Sequence, residues 1–170
     1  IGRATCMALA NQGAHVTVVD INPQNVEETL AQLREQPGRS DDHLGLTLDV
    51  RSEAQLAGMA QQTLERFGRI DILVNGAGVI ERGNLSSVTT EMWDRIMGVN
   101  LRAAFRATRA VLPIMRKQQR GNVVMVSAIG AFGGGGIAPI YRASKSAMNN
   151  IAEGFASETL GQGIRVNTIC

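Results

Sequence analysis

Residues 127–145 read SAIGAFGGGGIAPIYRASK. The residues just before them, 123–126, are apolar and mostly β-branched, which predicts a short buried strand that ends at Ser127. A glycine-rich loop follows, and its centre, residues 133–136, is small and apolar, with space but few polar groups. The stretch therefore predicts a strand, a tight loop and a further element in succession.

A helix is predicted to begin at Pro139, because the first turn of a helix tolerates a residue without an N–H. Tyr141 and Lys145 are four residues apart, so they share one face of this helix. With Ser127 at the end of the strand, a phenol, an ammonium and a hydroxyl are predicted to face one spot.

These three groups suit the interconversion of an alcohol and a carbonyl. A free tyrosine loses its proton near pH ~10, and a neighbouring ammonium favours the phenolate, which is the form that can act as a base. A serine hydroxyl can hold the substrate oxygen while the proton moves, and a cofactor must carry the hydride. A tyrosine and a lysine at this spacing occur on many solvated helix faces, so the rest of the chain has to support the assignment.

The remaining chain alternates short apolar runs with helical patterns. Strands are predicted at 14–20, 44–50, 70–74, 123–126 and 164–169, and helices at 4–10, 24–36, 53–67, 90–119 and about 139–160. Pro113 is expected to interrupt or end the fourth helix, and residues 37–42 are expected to form a loop. The alternation predicts an α/β fold: a doubly wound parallel sheet with helices on both faces.

Polar residues stand at the ends of four predicted strands: Asp20, Asp49, Asn75 and Ser127. Ligands of such sheets bind outside the carboxyl ends of the strands. The sequence therefore predicts one ligand site at this edge of the sheet.

Length and composition indicate a single domain over residues 1–170. The 44% hydrophobic and 19% charged content is ordinary for a globular protein, and a formal charge of +2 gives no support for a nucleic-acid partner. The uncharged stretch 121–141 contains a proline and a run of glycines, so no membrane span is predicted. Cys6 and Cys170 form no paired motif, which favours a reducing, cytoplasmic environment, and the isolated His15 and His43 indicate no metal site.

Five groups of residues resemble motifs of the short-chain dehydrogenase/reductases, and the resemblance runs over the whole chain. Ile1-Gly2 is similar to the end of the family's glycine-rich turn, and Asp20 stands where the family binds the adenosine ribose. The others are Asp49-Val50, similar to the pair that contacts adenine; Asn75-Gly76-Ala77-Gly78, similar to Asn-Asn-Ala-Gly beneath the cofactor; and Asn100, Ser127, Tyr141 and Lys145, similar to the catalytic tetrad.

The resemblance implies a role for each member of the tetrad. Tyr141 is expected to be the acid/base, and Lys145 to support its ionisation and bind the nicotinamide ribose. Ser127 is expected to orient the substrate oxygen, and Asn100 to hold a water that relays protons to Lys145. The cofactor-binding residues implied are Ile1, Asp20, Asp49, Val50, Asn75, Ala77, Gly78, Tyr141 and Lys145.

The resemblance also implies cofactor, substrate and assembly. Asp20, followed by Ile21, favours NAD over NADP, since a carboxylate repels a 2′-phosphate. A secondary alcohol or ketone is the expected substrate. The expected assembly is a homo-oligomer, and specifically a tetramer, because members of the family commonly form tetramers. The family's first strand and glycine turn before Ile1, and its substrate-covering segment after Cys170, are expected to belong to a longer parent protein.

Two alternatives remain open at this stage. A beta-ketoacyl carrier-protein reductase using NADPH would look similar over this region, with Arg102, Arg106 and Arg109 facing an acidic carrier. A Rossmann-like remnant without catalytic activity is the other.

Overall fold

The computed structural model describes residues 1–35, 42–133 and 138–170. These residues form two compact units, Ile1–Arg69 and Ile70–Cys170. The predicted loop 37–42 and the glycine-rich segment 133–136 fall largely outside the described residues. The single domain inferred from length and composition stays a prediction.

The first unit is a two-stranded parallel sheet with three helices. Its elements are α1 (Gly2–Asn11), β1 (Thr17–Asp20), α2 (Pro23–Arg34), β2 (Leu44–Thr47) and α3 (Glu53–Phe67). In the register, Thr17 is opposite Leu44 and Asp20 is opposite Thr47. Asp20 is thus the last residue of β1, whereas β2 ends two residues before Asp49.

Local sequence signals set the ends of these helices. Asn22 caps α2 by accepting a hydrogen bond from the Gln24 N–H at 2.9 Å, and proline occupies the first position of the helix. Ser52 caps α3, which ends at Gly68 with a φ of 72°, a conformation that glycine adopts without strain. A buried apolar cluster joins α1, β1 and α2: Ala10, Val16, Val18, Val26 and Leu33.

The second unit is a three-stranded parallel sheet with its helices. In chain order it contains β3 (Ile72–Asn75), α4 (Thr90–Met97), a π-helical turn (Gly98–Arg102), α5 (Ala103–Gln118), β4 (Gly121–Val126), α6 (Pro139–Glu158) and β5 (Ile164–Ile169). Short 3₁₀ turns lie at Leu85–Ser87 and Ile129–Phe132. The strand order is β3-β4-β5, so the first strand and the last flank β4.

The central strand, β4, alternates between buried and half-buried residues. Gly121, Val123 and Met125 are buried, while the residue after each of them is half-buried. Helix α5 contacts β3 and β4, and α6 contacts β4 and β5. The predicted α/β class with parallel strands is confirmed, since each described pair of strands is parallel.

The expected interruption at Pro113 is wrong. Helix α5 continues through Pro113, which lies on the exposed side of the helix, where water can bind the carbonyl that the proline leaves without a donor. Buried residues on either side, Leu112 and Met115, hold this part of the helix against the core. Tertiary packing therefore outweighs the local cost of the proline.

The irregularity of the long helix lies instead at Gly98–Arg102. Here the Ala103 N–H donates to the Gly98 carbonyl, five residues back, which adds one residue to the turn. Gly98 and Asn100 are buried within it. Such π turns occur often at functional sites, and this one carries a predicted member of the tetrad.

Candidate active site

Ser127 directly follows the last residue of β4 and contacts β5 and α6 of the second unit. Its N–H donates to the Ile169 carbonyl at 2.8 Å, which extends the pairing with β5 by one residue. Its hydroxyl donates to the Lys145 carbonyl at 3.3 Å, and the residue is only 6% exposed. The strand end and helix α6 thus meet at this serine, as the sequence predicted.

Helix α6 presents Tyr141 and Lys145 on one face. The helix begins at Pro139, so Tyr141 lies in its first turn. Nζ of Lys145 lies 5.8 Å from the centre of the tyrosine ring. The predicted spacing therefore brings the ammonium close to the phenol ring.

Lys145 is the most unusual charged residue of this region, because only 4% of it is exposed. Its ammonium donates to the carbonyl of Val126 at 2.6 Å, which is a neutral partner. Burial lowers the pKa of Lys145 from its ordinary value of 10.5, since desolvation disfavours the charged form. Buried lysines with lowered pKa values occur preferentially at functional sites.

Asn100 is fully buried in the π-helical turn. Its Oδ1 accepts from the Val79 N–H at 2.8 Å, and its Nδ2 donates to the Val79 carbonyl at 2.9 Å. The same Nδ2 donates to Oγ of Ser144 at 3.1 Å. One side chain therefore joins the loop after β3, the π turn and α6.

The loop after β3 passes beside Lys145 and Asn100. A Cβ placed on Gly78 would lie 3.7 Å from Nζ of Lys145 and 3.5 Å from Oδ1 of Asn100, so this glycine keeps the space over both groups open. Asn75, at the end of β3, donates through Nδ2 to the Thr108 hydroxyl at 3.2 Å, which ties the strand to α5. Ala77, between Asn75 and Gly78 in the sequence, is exposed.

The residues predicted to bind the adenosine end lie in the first unit. Oδ1 of Asp20 accepts from the Asn22 N–H at 2.9 Å, in the turn that opens α2. Asp49 forms a two-pronged ion pair with Arg51, with contacts of 2.6 to 3.0 Å, and these hydrogen bonds lower the pKa of the aspartate. Val50 is half-buried, and Ile1 is exposed at the start of α1.

The glycine-rich loop predicted after Ser127 begins with the 3₁₀ turn Ile129–Phe132, which side chains fix to α6. Nε of Arg142 donates to the Gly130 carbonyl at 3.0 Å, and the Ser146 hydroxyl donates to the Ala131 carbonyl at 2.6 Å. The turn leaves Ile129 and Phe132 exposed, at 84% and 73%. The sequence predicted a loop here, but not its attachment to α6 through Arg142 and Ser146, because those contacts join residues 12 and 15 positions apart.

Within the part of the chain that the structure describes, no cluster of histidine, cysteine, aspartate and glutamate could hold a metal ion. None of the described helices combines the length and apolar character that crossing a bilayer requires.

Comparison with known proteins identifies the family. The profile of the family described as short chain dehydrogenase matches residues 1–170. The chain belongs to the short-chain dehydrogenases. The predicted oxidoreductase class is thereby confirmed at the level of the family.

Several relatives of this short-chain dehydrogenase carry named activities. It is 34% identical over 170 residues to 3-oxoacyl-(acyl-carrier-protein) reductase FabG of Thermotoga maritima, covering 99% of this chain and 68% of that protein. It is 36% identical to cyclopentanol dehydrogenase of Comamonas sp., over 99% of this chain and 66% of the relative. It is 35% identical to levodione reductase of Leifsonia aquatica, over 99% and 63%. The chain thus spans about two thirds of the length of these relatives.

A solved structure supports the fold. A crystal structure of a chain assigned to the short-chain dehydrogenase/reductases, from Burkholderia xenovorans, superposes with a TM-score of 0.92 at 30% identity. The match covers 98% of this chain and 65% of the other. The predicted Rossmann-like fold is therefore confirmed.

Proposed function

We propose that the protein is an NAD(P)-dependent oxidoreductase acting on a secondary alcohol or the corresponding ketone, with Tyr141 as its acid/base. The observation that carries the proposal is the buried ammonium of Lys145, held on a neutral carbonyl and beside the tyrosine ring. Burying an ammonium against a neutral carbonyl costs free energy, so a structural role alone explains it poorly.

The residues around Lys145 fit a nicotinamide cofactor. The open space over Gly78 borders both the ammonium and the Asn100 amide, where a side chain at position 78 would intrude. The ammonium uses one hydrogen-bond donor on Val126, and an ammonium has three. We assign the remaining capacity of Lys145 to ribose hydroxyls, and Asn75, Ala77 and Gly78 to the same cofactor.

The proposed chemistry divides between cofactor and protein. When bound, the nicotinamide accepts the hydride of the alcohol or supplies it to the ketone. In the oxidation direction, the phenolate oxygen of Tyr141 takes the hydroxyl proton of the substrate; in reduction, the phenol returns a proton to the carbonyl oxygen. The Ser127 hydroxyl holds that oxygen, for which it must turn from the Lys145 carbonyl that it contacts in this structure.

Asn100 is assigned the relay of protons through a water to Lys145. The space over Gly78, which borders Oδ1 of Asn100 and Nζ of Lys145, supports this assignment. Both N–H groups of the Asn100 amide are used on Val79 and Ser144, but its Oδ1 accepts one bond, from the Val79 N–H, and an amide oxygen can accept two.

We propose NAD as the preferred cofactor. Asp20 ends β1, and one of its oxygens accepts from the Asn22 N–H, which fixes the carboxylate at the strand end. A carboxylate so placed accepts hydrogen bonds from ribose hydroxyls and repels a 2′-phosphate. Asp49, Val50 and Ile1 are assigned to the adenine and pyrophosphate side of the same cofactor.

A carrier-linked ketoacyl substrate is the second candidate. The relative from Thermotoga maritima is named as a reductase of this kind, and Arg102 and Arg109 are exposed on the π turn and α5. Two exposed guanidinium groups could contact an acidic carrier protein. Activity on carrier-linked substrates that falls steeply with added salt would favour this candidate over a free alcohol.

We further propose a homo-oligomer, a tetramer by resemblance, in the cytoplasm. A shallow apolar depression on the second unit supports self-association, and it is lined by Trp93, Met97, Leu101, Arg102, Phe105 and Ile151. Trp93 is 44% exposed. Tryptophan is enriched in protein interfaces, so its exposure here supports a contact with a second subunit.

The full-length protein tests the proposal directly. Reduction of NAD and NADP at 340 nm is followed with a panel of cyclic, acyclic and hydroxy-acid secondary alcohols, and the reverse reaction with ketones and carrier-linked ketoacyl groups. We expect turnover of at least one of these alcohols or ketones with NAD(H) or NADP(H). Binding of a nicotinamide nucleotide without turnover of any substrate would favour the remnant without catalytic activity.

A further inference from the structure

The hydroxyl of Ser144 stands at the centre of a hydrogen-bond chain outside the predicted tetrad. It accepts from Nδ2 of Asn100 at 3.1 Å and donates to the Tyr141 carbonyl at 2.6 Å. Ser144 is fully buried, so no water can replace either partner without rearrangement. Both hydrogen-bonding capacities of the hydroxyl, as donor and as acceptor, are therefore in use.

The chain continues through Asn100 to the loop that follows β3. With one N–H of Asn100 on Ser144, the other donor and the oxygen of the amide hold the two backbone groups of Val79. Val79 directly follows Gly78, the glycine that borders Lys145. Three segments that are distant in the sequence are thus fixed to one another: the loop after β3, the π turn and the first turns of α6.

We propose that Ser144 is a positioning residue: by holding the Asn100 amide, it sets the distance between the loop at Gly78 and the helix face that carries Tyr141 and Lys145. The proposal rests on the proposed function for its kinetic consequence, but its structural part does not. Ser144 touches neither substrate nor cofactor in this account and acts only through Asn100.

Alanine at this position would leave one Asn100 N–H without a buried partner. An unsatisfied buried donor drives rearrangement, and the amide can rotate or shift to recover a bond. Either movement loosens the bonds to Val79, so the loop at Gly78 loses its fixed position relative to Lys145. We therefore expect kcat to fall about tenfold in Ser144→Ala, with a smaller change in the KM of the alcohol.

Thr159→Val is the matched control. Thr159 is also fully buried, ends α6 and donates its hydroxyl to the Phe155 carbonyl at 2.8 Å. Valine keeps its shape and removes the hydroxyl. The control therefore reports the general cost of losing a buried hydroxyl contact on this helix.

Amide hydrogen exchange at Val79 provides a readout independent of turnover. The Val79 N–H donates to Asn100, so its exchange should accelerate about tenfold in the full-length Ser144→Ala protein and stay unchanged in Thr159→Val. If the alanine variant folds poorly, Ser144→Cys takes its place: its thiol is larger than the hydroxyl and a weaker donor and acceptor, so exchange at Val79 should be faster than in the native protein. Unchanged exchange in both Ser144 variants, or equal acceleration in Thr159→Val, overturns the proposal. If the native protein shows no turnover at all, the proposed function fails while the exchange comparison still decides the role of Ser144.

Discussion

Lys145 and Tyr141 face each other across one turn of α6, with Nζ 5.8 Å from the centre of the phenol ring. The lysine is almost fully buried, and burial lowers its pKa. A charge held in this way destabilises the folded state, and that cost can be measured.

Replacing Lys145 by methionine should remove a pH-dependent component of stability. The pKa of Lys145 is lower in the folded than in the unfolded chain, so the unfolded chain binds more protons between the lowered value and 10.5. The free energy of unfolding of the native protein should therefore rise relative to that of Lys145→Met as pH increases from 7 towards 10.5. Urea denaturation of both proteins across this range measures the difference. If the free energy of unfolding of the native protein minus that of Lys145→Met stays constant or falls over this range, the lowered pKa is contradicted.

Changing Asp20 should alter the choice of cofactor. In the double variant Asp20→Ser with Ile21→Arg, loss of the carboxylate and gain of a guanidinium should raise kcat/KM for NADP relative to NAD by about tenfold or more. Asp94→Ser, which removes an exposed carboxylate from α4, is the control and should leave the ratio unchanged. A native protein that already prefers NADP speaks against the assignment of Asp20.

Two glycines should respond in opposite directions to alanine. At Gly163, with a φ of 70°, a Cβ would clash with the Gln119 carbonyl oxygen, so Gly163→Ala should cost about 2 kcal/mol or more. Gly154 lies inside α6, and apart from its chain neighbours and the adjacent helix backbone no atom lies within 4 Å of such a Cβ, so Gly154→Ala should stabilise by about 0.5–1 kcal/mol. Thermal unfolding of the two variants checks both signs, and a stable Gly163→Ala would mean that the turn before β5 differs from this structure.

The apolar depression on α4, α5 and α6 should carry self-association. Ile151→Glu places a charge among Trp93 and Phe105 and should lower the oligomeric state, because an unpaired carboxylate in a buried interface costs free energy. Leu160→Glu is the control, since Leu160 is 84% exposed and lies outside the depression. Light scattering coupled to size-exclusion chromatography measures both. Equal masses for Ile151→Glu and the native protein would remove the depression from the interface.

The core of the candidate site could be predicted because its signals are local. Ser127 follows a short apolar run, Pro139 marks the start of a helix, and the spacing of Tyr141 and Lys145 places them on one face. Each of these signals depends on neighbours within a few residues. The parallel sheet was predictable for the same reason, because the hydrophobic pattern of each strand and helix lies within its own residues.

The contacts that hold the site together were not predictable in this way. Asn100 bonds to Val79, 21 residues away, and to Ser144, 44 residues away. The π turn at Gly98–Arg102 accommodates one extra residue where the helix turns the Asn100 side chain inward. No local sequence pattern marks this turn. Pro113 was misjudged because its exposed position, which makes it harmless, is decided by the packing of the whole helix.

Tyr141→Phe in the full-length protein tests the central claim most directly. This substitution removes one oxygen from a half-buried ring and leaves Lys145, Asn100 and Gly78 in place. Turnover of the substrate identified with the native protein should fall by about 10²-fold or more, while NADH binding, followed by its fluorescence, stays within about twofold. Turnover close to the native value, with binding intact, would contradict the assignment of Tyr141 as the acid/base.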